Sequence, residues 1–297
     1  MIEIGVDFGG TKIEAAALDA EGHFLGRLRV PTPRNYDAAI ATVCALVAEI
    51  EAGAGERGTI GIGTPGSLSP RSGLIRNANS VWLNGRAFHA DLSAALGREI
   101  RMANDANCLA LSETVDGAAQ GSAVTFAVIA GTGCGGGLVV RGQLVEGANG
   151  IAGEWGHIPL PSPQENELPF PVCWCGRHGC LETWISGSGM QRDYQATWGE
   201  PLTSEEIVAL ARAGDERATV TFDRYVNRFG RGLAMICNTL DPDTIVLGGG
   251  LSNVSELYHL LPELIRPHVF SDDWRVRLAP ARWGDSSGVR GAARLWR

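Results

Sequence analysis

The sequence predicts an α/β protein built from two lobes. A chain of 297 residues is longer than one hydrophobic core usually spans, so two domains of ordinary size are expected. Segments that alternate like strands are followed by segments with the 3.6-residue period of helices. A pattern of strand, glycine turn and returning strand opens the chain and begins again near residue 123. We therefore expect one lobe at residues 1–117, completed by a C-terminal helix at 287–297, and a second at 118–286.

Composition and charge narrow the class of protein. Apolar residues make up 44% of the chain and charged residues 20%, which is typical of a globular protein. The net charge of −8 argues against nucleic acid or an anionic membrane as the main partner. No apolar run approaches the ~20 residues that span a bilayer, and we see no signal peptide. The seven cysteines read mostly as reduced thiols, which predicts a cytoplasmic location.

The first lobe is expected to open with antiparallel strands and then to alternate between helices and strands. Gly9 and Gly10 supply a tight turn between the first two strands. Ile40, Val43 and Val47 recur on one helical face. In order, the pattern predicts strands at 2–8, 11–18 and 24–30, a helix at 37–52, a strand at 59–63, a helix at 91–96, a strand at 101–105 and a helix at 107–115.

The second lobe repeats the opening and then becomes helical. Strands at 123–130 and 137–140 flank a glycine-rich turn, and a proline-rich loop covers 158–172. A helix at 222–240 carries an apolar stripe that begins at Phe222, and Asp241-Pro242 ends it. A buried strand at 244–247, three glycines and a helix at 255–265 follow.

A cysteine cluster is the most specific local signal. Cys173, Cys175 and Cys180 together with the remote His157 supply four ligands for a closed tetrahedral Zn²⁺ site. A redox pair is disfavoured because the spacing is not Cys-x-x-Cys, and a disulfide is disfavoured by the compartment. His178 is the other candidate fourth ligand, but it lies inside the cluster and is expected to be exposed. Such a metal would also fix two nearby carboxylates, those of Glu154 and Glu182.

Three glycine-rich turns are candidates for phosphate or nucleotide binding. Glycine is abundant, with 40 residues, and its clusters suggest backbone that approaches phosphate oxygens. Asp7 precedes the Gly9-Gly10-Thr11-Lys12 turn and could hold Mg²⁺ through water. The alternatives are a plain hairpin here and at Gly131–Gly133, and a simple strand-to-helix connector at Gly248–Gly250. The first turn is not a Walker A loop, and the turn at Gly131–Gly137 does not precede a predicted helix, so it is not expected to be a dinucleotide-binding fingerprint.

Asp105 has two interpretations. It follows a predicted strand within Asn104-Asp105-Ala106-Asn107, where Asn and Asp commonly cap a helix. It could equally accept a hydroxyl proton during phosphoryl transfer, with Asn104 bonding to the same substrate.

Taken in order, these motifs resemble the ROK family of bacterial sugar kinases, within the actin-like ATPase fold shared with hexokinase and ribonuclease H. The resemblance covers essentially the whole chain. Its motifs are Asp7 to Lys12, Gly63 to Gly66, Asn104 to Asn107, Gly131 to Gly133, Glu154 to His157, Cys173 to Cys180, Glu182 and Gly248 to Gly250. The loop from His157 to Cys173 is longer than in many family members.

The resemblance implies ATP:hexose phosphotransfer with Mg²⁺, a structural Zn²⁺, a homodimer and a cleft between the lobes. It makes Asp105 the general base. The implied sugar contacts are Gly66, Asn79, Asn104, Glu154, His157 and Glu182. The implied ATP and Mg²⁺ contacts are Asp7, Gly9, Gly10, Thr11, Lys12, Gly131, Thr132, Gly133, Cys134, Gly135, Gly136, Gly248, Gly249 and Gly250. The implied zinc ligands are His157, Cys173, Cys175 and Cys180.

Within the family the chain looks most similar to proteobacterial fructokinases, also called manno(fructo)kinases. The segments at 66–70, 77–85 and 131–135 carry that similarity. It implies phosphorylation of D-fructose, and also of mannose, at the 6-hydroxyl. N-acetylglucosamine kinases of the same family share most other motifs and are the alternative. A sugar-sensing ROK regulator is more distant, because the Asp7 motif begins almost at Met1 and leaves no helix-turn-helix before it. An actin-like or chaperone-like ATPase is a further alternative.

Overall fold

The computed structural model describes all residues, Met1–Arg297, in two compact units. Unit 1 comprises Met1–Gly121, Gly137–Ala152 and Arg282–Arg297, and unit 2 comprises Ser122–Gly136 and Gly153–Ala281. Among the helices, none combines the length and the apolar character needed to cross a membrane.

The first 121 residues contain every element predicted for them, with ends shifted by a few residues. The elements are β1 (Glu3–Phe8), β2 (Lys12–Leu18), β3 (Phe24–Pro31), α1 (Tyr36–Ala54), β4 (Thr59–Thr64), β5 (Ser67–Leu68), β6 (Ile75–Arg76), α2 (Phe88–Leu96), β7 (Arg101–Asn104) and α3 (Asp105–Val115). The short pair β5 and β6 was not predicted. Asp105 was expected at the end of a strand, but it is the first residue of α3, because the side chain of Asn104 caps that helix.

The sheet of unit 1 has the order β3-β2-β1-β4-β7. Strands β1 and β2 form the predicted antiparallel hairpin, whereas β1, β4 and β7 run parallel. In this register Asp7 pairs with Gly63, and Thr64 pairs with Asn104. Because the carboxyl ends of parallel strands share one edge, Asp7 and Asn104 lie at the edge where α/β sheets usually bind ligands.

The rest of the chain builds a second sheet and most of the helices. The elements are β8 (Val124–Ala130), β9 (Cys134–Val140), β10 (Gln143–Leu144), α4 (Glu182–Ile185), α5 (Gly187–Trp198), α6 (Ser204–Arg212), α7 (Glu216–Leu240), β11 (Thr244–Gly248), α8 (Leu257–Ile265), β12 (Arg277–Pro280) and α9 (Ser287–Ala293). Helices α4, α5 and α6 and strands β10 and β12 were not predicted. The second sheet has the order β10-β9-β8-β11-β12, with β11 parallel to β8 and to β12. This succession matches that of the first sheet, so the weak echo in the sequence is a structural repeat.

A buried carboxylate on α3 fixes the C-terminal segment of unit 1. Glu113 is fully buried and accepts hydrogen bonds from the backbone N–H groups of Ala118, Arg282 and Trp283 and from the Ser287 hydroxyl. Because these donors replace the lost water, burying the charge becomes tolerable. The helix that begins at Asp105 is thereby held against the start of α9.

Candidate functional site

The turn after Asp7 is closed by its own backbone. The N–H of Gly9 donates to the carbonyl of Lys12 at 3.0 Å, and a Cβ on Gly9 would lie 2.8 Å from that oxygen. Gly10 and Thr11 are exposed beyond it, and the Lys12 ammonium lies 3.7 Å from the Asp285 carboxylate. The turn therefore offers open backbone beside a cation, as a phosphate site requires.

Asp7 carries a charge in an unfavourable place. Burial, followed by the negative charges of Asp105 and Glu14, raises the pKa of Asp7 to about 6. A divalent cation would offset both effects, so the donor at this position fits Mg²⁺.

Asn104, Asp105 and Gly66 come together in unit 1. The Asn104 side chain accepts from the Ala106 N–H at 2.8 Å and donates from Nδ2 to the Gly66 carbonyl at 3.1 Å. Asp105 also accepts from the Ala106 N–H at 2.8 Å. Asn79 is exposed, and the neighbouring Ala78 packs against Gly66, whose added Cβ would lie 2.7 Å from the Ala78 nitrogen. A helix cap thus also orients two polar side chains, and the two interpretations of Asp105 are compatible.

The four predicted zinc ligands converge in unit 2. The ligand atoms of His157, Cys173, Cys175 and Cys180 all lie within 4.8 Å of one another. Cys173 Sγ is 3.6 Å from His157 Nδ1, and Cys175 Sγ is 3.6 Å from Cys180 Sγ. A tetrahedral zinc with bonds of about 2.3 Å to sulfur needs separations of about 3.8 Å, so the set fits zinc. His178 is exposed and outside the cluster.

The two carboxylates near this cluster differ in how firmly they are held. Glu182 begins α4, and its Oε2 accepts from the backbone N–H of Cys134 at 3.0 Å. Its Oε1 accepts from Trp174 Nε1 at 2.6 Å. Glu154 is exposed, just before the short 3₁₀ turn Trp155–His157. Burial, followed by the charge of Glu182, raises the pKa of the Cys134 thiol well above its usual value, so its backbone rather than its thiol serves the site.

A pocket of about 370 Å³ in unit 2 brings two of the glycine turns together. Its lining is Gly131, Thr132, Gly187, Ser188, Gln191, Ser204, Glu205, Gly250 and Leu251. The first turns of α5 and α6 both line it. The Gly187 N–H donates to the Gly131 carbonyl at 2.7 Å, and Glu205 of α6 places an acidic residue in the lining. Two further glycines of these turns serve packing: a Cβ on Gly249 would lie 2.5 Å from the Ala130 carbonyl, and one on Gly133 would lie 2.8 Å from Glu182.

The contribution of α5 and α6 to this pocket was not predicted from the sequence. Both starts carry recognisable signals: Ser186 accepts from the Gly189 N–H, and Thr203 with Glu206 forms a capping box. These caps would have predicted two helix starts close to Glu182 in sequence, although not that they face one pocket. Trp174 was missed as well, because a residue between two metal ligands reads as a spacer.

Comparison with known proteins places the whole chain in one family. An N-acetyl-D-glucosamine kinase of Pectobacterium atrosepticum is 42% identical over 98% of this chain and 97% of its own. A ROK hexokinase from Thermus thermophilus is 35% identical with a TM-score of 0.88 and covers 99% of this chain and 97% of its own. A ROK glucokinase from Streptomyces griseus, solved with glucose and AMPPNP, is 29% identical with a TM-score of 0.79 and covers 99% of both chains. These structures confirm the predicted two-lobed, actin-like sugar-kinase fold. The ROK family model matches residues 3–297, and the chain therefore belongs to the ROK family.

Proposed function

We propose that the chain phosphorylates N-acetyl-D-glucosamine with ATP. The observation that carries this choice of sugar is the 42% identity with an N-acetyl-D-glucosamine kinase along nearly the full length of both chains. The relatives thus favour the alternative of the sequence analysis over its first expectation, fructose. The general activity does not depend on this choice of sugar, because the family match and the relatives show that the chain is an ATP:sugar phosphotransferase.

Asp105 is the proposed general base. Its position at the first residue of α3, beside Asn104, suits a carboxylate that must meet a sugar hydroxyl at the edge of the sheet. The hydroxyl oxygen forms a bond to the γ-phosphorus of ATP while the bond to the β-γ bridging oxygen breaks. The hydroxyl proton passes to Asp105, and ADP leaves with the bridging oxygen. An ordinary carboxylate suffices because the alcohol loses its proton late in a loose transition state.

The nucleotide contacts are proposed in both units. In unit 1 the turn from Gly9 to Lys12 would hold phosphate oxygens, and Asp7 would hold Mg²⁺, which neutralises charge that develops on the phosphates. In unit 2 the pocket beside Thr132 and Gly250 would take the rest of the nucleotide.

The sugar contacts are proposed to be Gly66, Asn79 and Asn104 in unit 1 and Glu154, His157 and Glu182 in unit 2. Since His157 turns Nδ1 toward Cys173, its Nε2 remains for the sugar. A zinc ion held by His157 and the three cysteines would supply a structural cross-link that keeps this loop in place.

Fructose is the second candidate, and one observation favours it. The segments that resemble fructokinases, 66–70 and 77–85, are directly connected to the proposed sugar contacts, because Gly66 accepts a hydrogen bond from Asn104. The side chain of Asn84 fixes the second segment by bonding to both the N–H and the carbonyl of Ala78, at 2.9 and 3.0 Å. The segments that are similar to those of fructokinases therefore lie at the proposed sugar contacts, where they could affect the choice of sugar.

The deciding experiment measures ADP release with Mg-ATP and a panel of sugars. The panel contains N-acetyl-D-glucosamine, fructose, mannose, glucose and N-acetylmannosamine. We expect the highest kcat/KM with N-acetyl-D-glucosamine. A higher value with fructose would reverse the choice of sugar and keep the kinase. Sugar binding without turnover would favour a sensing role, and ATP hydrolysis that no sugar stimulates would favour an ATPase.

A further inference from the structure

Trp174 is a large exposed side chain next to the proposed sugar contacts of unit 2. Its relative exposure is 66%, which is unusual for an indole that lies between two buried or half-buried cysteines. Its Nε1–H nevertheless donates to the Glu182 carboxylate at 2.6 Å. Its ring also meets the His157 ring edge-on, with centroids 5.0 Å apart and planes at 81°. One side chain thus touches two residues that are proposed to bind the sugar.

The contact with Trp174 completes the fixation of Glu182. One carboxylate oxygen accepts from the backbone of Cys134 and the other from Trp174. An ionised carboxylate can accept about four hydrogen bonds, so about two acceptor positions remain for hydroxyl groups. Because both oxygens are held, those positions have fixed directions. The backbone of Trp174 is itself restrained, since Cys173 and Cys175 flank it within the metal-type cluster.

We propose that Trp174 is a positioning residue for sugar recognition, acting through Glu182. Its indole N–H holds the carboxylate in the orientation in which the free acceptor positions meet a sugar hydroxyl. The inference rests on the proposed function, because it requires Glu182 to contact the sugar. An indole suits the task, since it has two side-chain torsions and loses little entropy when it is held.

The first test compares Trp174→Phe with Trp198→Phe. Phenylalanine keeps an aromatic ring at residue 174 but removes the donor. Trp198 is the matched control, because its Nε1 donates to Thr221 at 3.1 Å, away from the cluster. For Trp174→Phe we expect the KM and the calorimetric Kd for the sugar to rise about tenfold, the ordinary size of one hydrogen bond to a charged group. The KM for Mg-ATP, kcat and the zinc content should stay within about twofold of the unaltered protein, and Trp198→Phe should change none of these values.

The second test asks whether Trp174 acts through Glu182. The sugar Kd is measured for Trp174→Phe, Glu182→Ala and the double variant, because alanine removes the acceptor of the indole N–H. We expect Trp174→Phe to weaken sugar binding less than twofold once Glu182 is Ala. A full tenfold effect in that background would overturn the inference, because Trp174 would then act independently of Glu182. If Trp174→Phe is active and its sugar KM is unchanged, the inference is overturned, but the proposed function is not. If the unaltered protein neither turns over nor binds any sugar, the proposed function falls and the inference falls with it.

Discussion

Asp7 and Asp105 are two carboxylates of unit 1 with unequal surroundings. Asp7 is the penultimate residue of β1, where burial and its acidic neighbours disfavour its charge. Asp105 opens a helix, where the Ala106 N–H donates to it and the helix dipole favours a negative charge. Two carboxylates in different environments commonly divide two tasks between them. We propose that Asp7 binds the cation and that Asp105 accepts the proton.

Replacing Asp105 by Asn should separate chemistry from folding. The amide can still accept from the Ala106 N–H, so the melting temperature and the calorimetric sugar Kd should stay near their original values. Turnover should fall by about 10²–10⁴-fold, the usual contribution of a general base. A variant that keeps more than about a tenth of the original kcat would remove Asp105 from this role.

Replacing Asp7 by Asn should lower the activity and raise the free energy of unfolding, and the gain in stability should depend on pH. Since the folded-state pKa of Asp7 is about 6 against an ordinary 3.8, its contribution to stability is fully present below the ordinary value and is lost as the pH rises through 6. Without magnesium and nucleotide, Asp7→Asn should therefore unfold with a free energy roughly 3 kcal/mol higher at pH 7, and about half of that advantage should remain at pH 5. Urea titrations at the two pH values measure it. An equal advantage at both would show that ionisation of Asp7 is not the cause.

At the scale of elements, the loop at 158–172 is fixed to α7 by a buried ion-pair network. Glu167 accepts from Arg228 Nε at 3.0 Å and from both terminal nitrogens of Arg231, and all three side chains are buried. Burial would raise the pKa of Glu167, but hydrogen bonds from Arg231, the Gln164 backbone and Arg228 lower it below its ordinary value. Arg231 also donates to the carbonyls of Pro161 and Ser162. The loop that leads to Cys173 is thus fixed to α7 by these two arginines.

Glu167→Ala should therefore destabilise the protein strongly. Without the Glu167 carboxylate, the buried guanidinium groups of Arg228 and Arg231 lose the acceptor that they share. Breaking a buried ion pair in this way typically lowers the free energy of unfolding by about 3–5 kcal/mol. The exposed Glu165 lies in the same short 3₁₀ turn and provides the control, since Glu165→Ala should change stability by less than about 0.5 kcal/mol. Thermal and urea unfolding of both variants measure the difference. Similar losses in the two variants would mean that the network does not hold the loop.

The cysteine cluster predicts one zinc per chain. Metal analysis of protein purified without chelators should find it, and Cys175→Ser should lose it, whereas Cys44→Ser on α1 should keep it. Because structural zinc binding contributes local folding free energy, a chelator should lower the melting temperature and weaken sugar binding. Protein that holds no zinc before any chelation would exclude the four-ligand assignment.

The sequence predicted the strand–turn–strand openings, α1, α3 and α7 because their signals are local. Periodicity, glycine pairs and Asp241-Pro242 are all visible within a short window. Helices α5 and α6 were not predicted, because their caps at Ser186 and Thr203 follow irregular segments without a strong apolar period. The ligand cluster was predictable from residue types, and the distances within it agree. The indole of Trp174 on Glu182 was not, since it depends on how the cysteine loop turns.

At the scale of the whole chain, glycines join segments that are far apart in sequence. A Cβ on Gly5 would lie 1.9 Å from the Val289 carbonyl, and one on Gly61 would lie 1.8 Å from the Ala292 carbonyl. These positions let the backbone of α9 rest directly on β1 and β4. The abundance of glycine was predicted to serve phosphate binding, but several of these residues serve close packing instead. Composition cannot separate the two uses, because the partner backbone lies more than 200 residues away in the chain.

Gly61→Ala should accordingly destabilise unit 1, whereas Gly53→Ala should not. At residue 61 the added methyl group meets a backbone carbonyl that cannot rotate away, so α9 or β4 must shift, at a cost of about 3 kcal/mol or more. Gly53 is an exposed residue of α1 with nothing within 4 Å of an added Cβ. Alanine there should raise the free energy of unfolding by about 0.5–1 kcal/mol. Urea unfolding of both variants measures the free energy of unfolding, which should fall for Gly61→Ala and rise for Gly53→Ala. Equal stabilities would contradict the direct packing of α9 on the sheet, and with it the account of why a segment near the end of the chain belongs to the unit that contains Asp7 and Asp105.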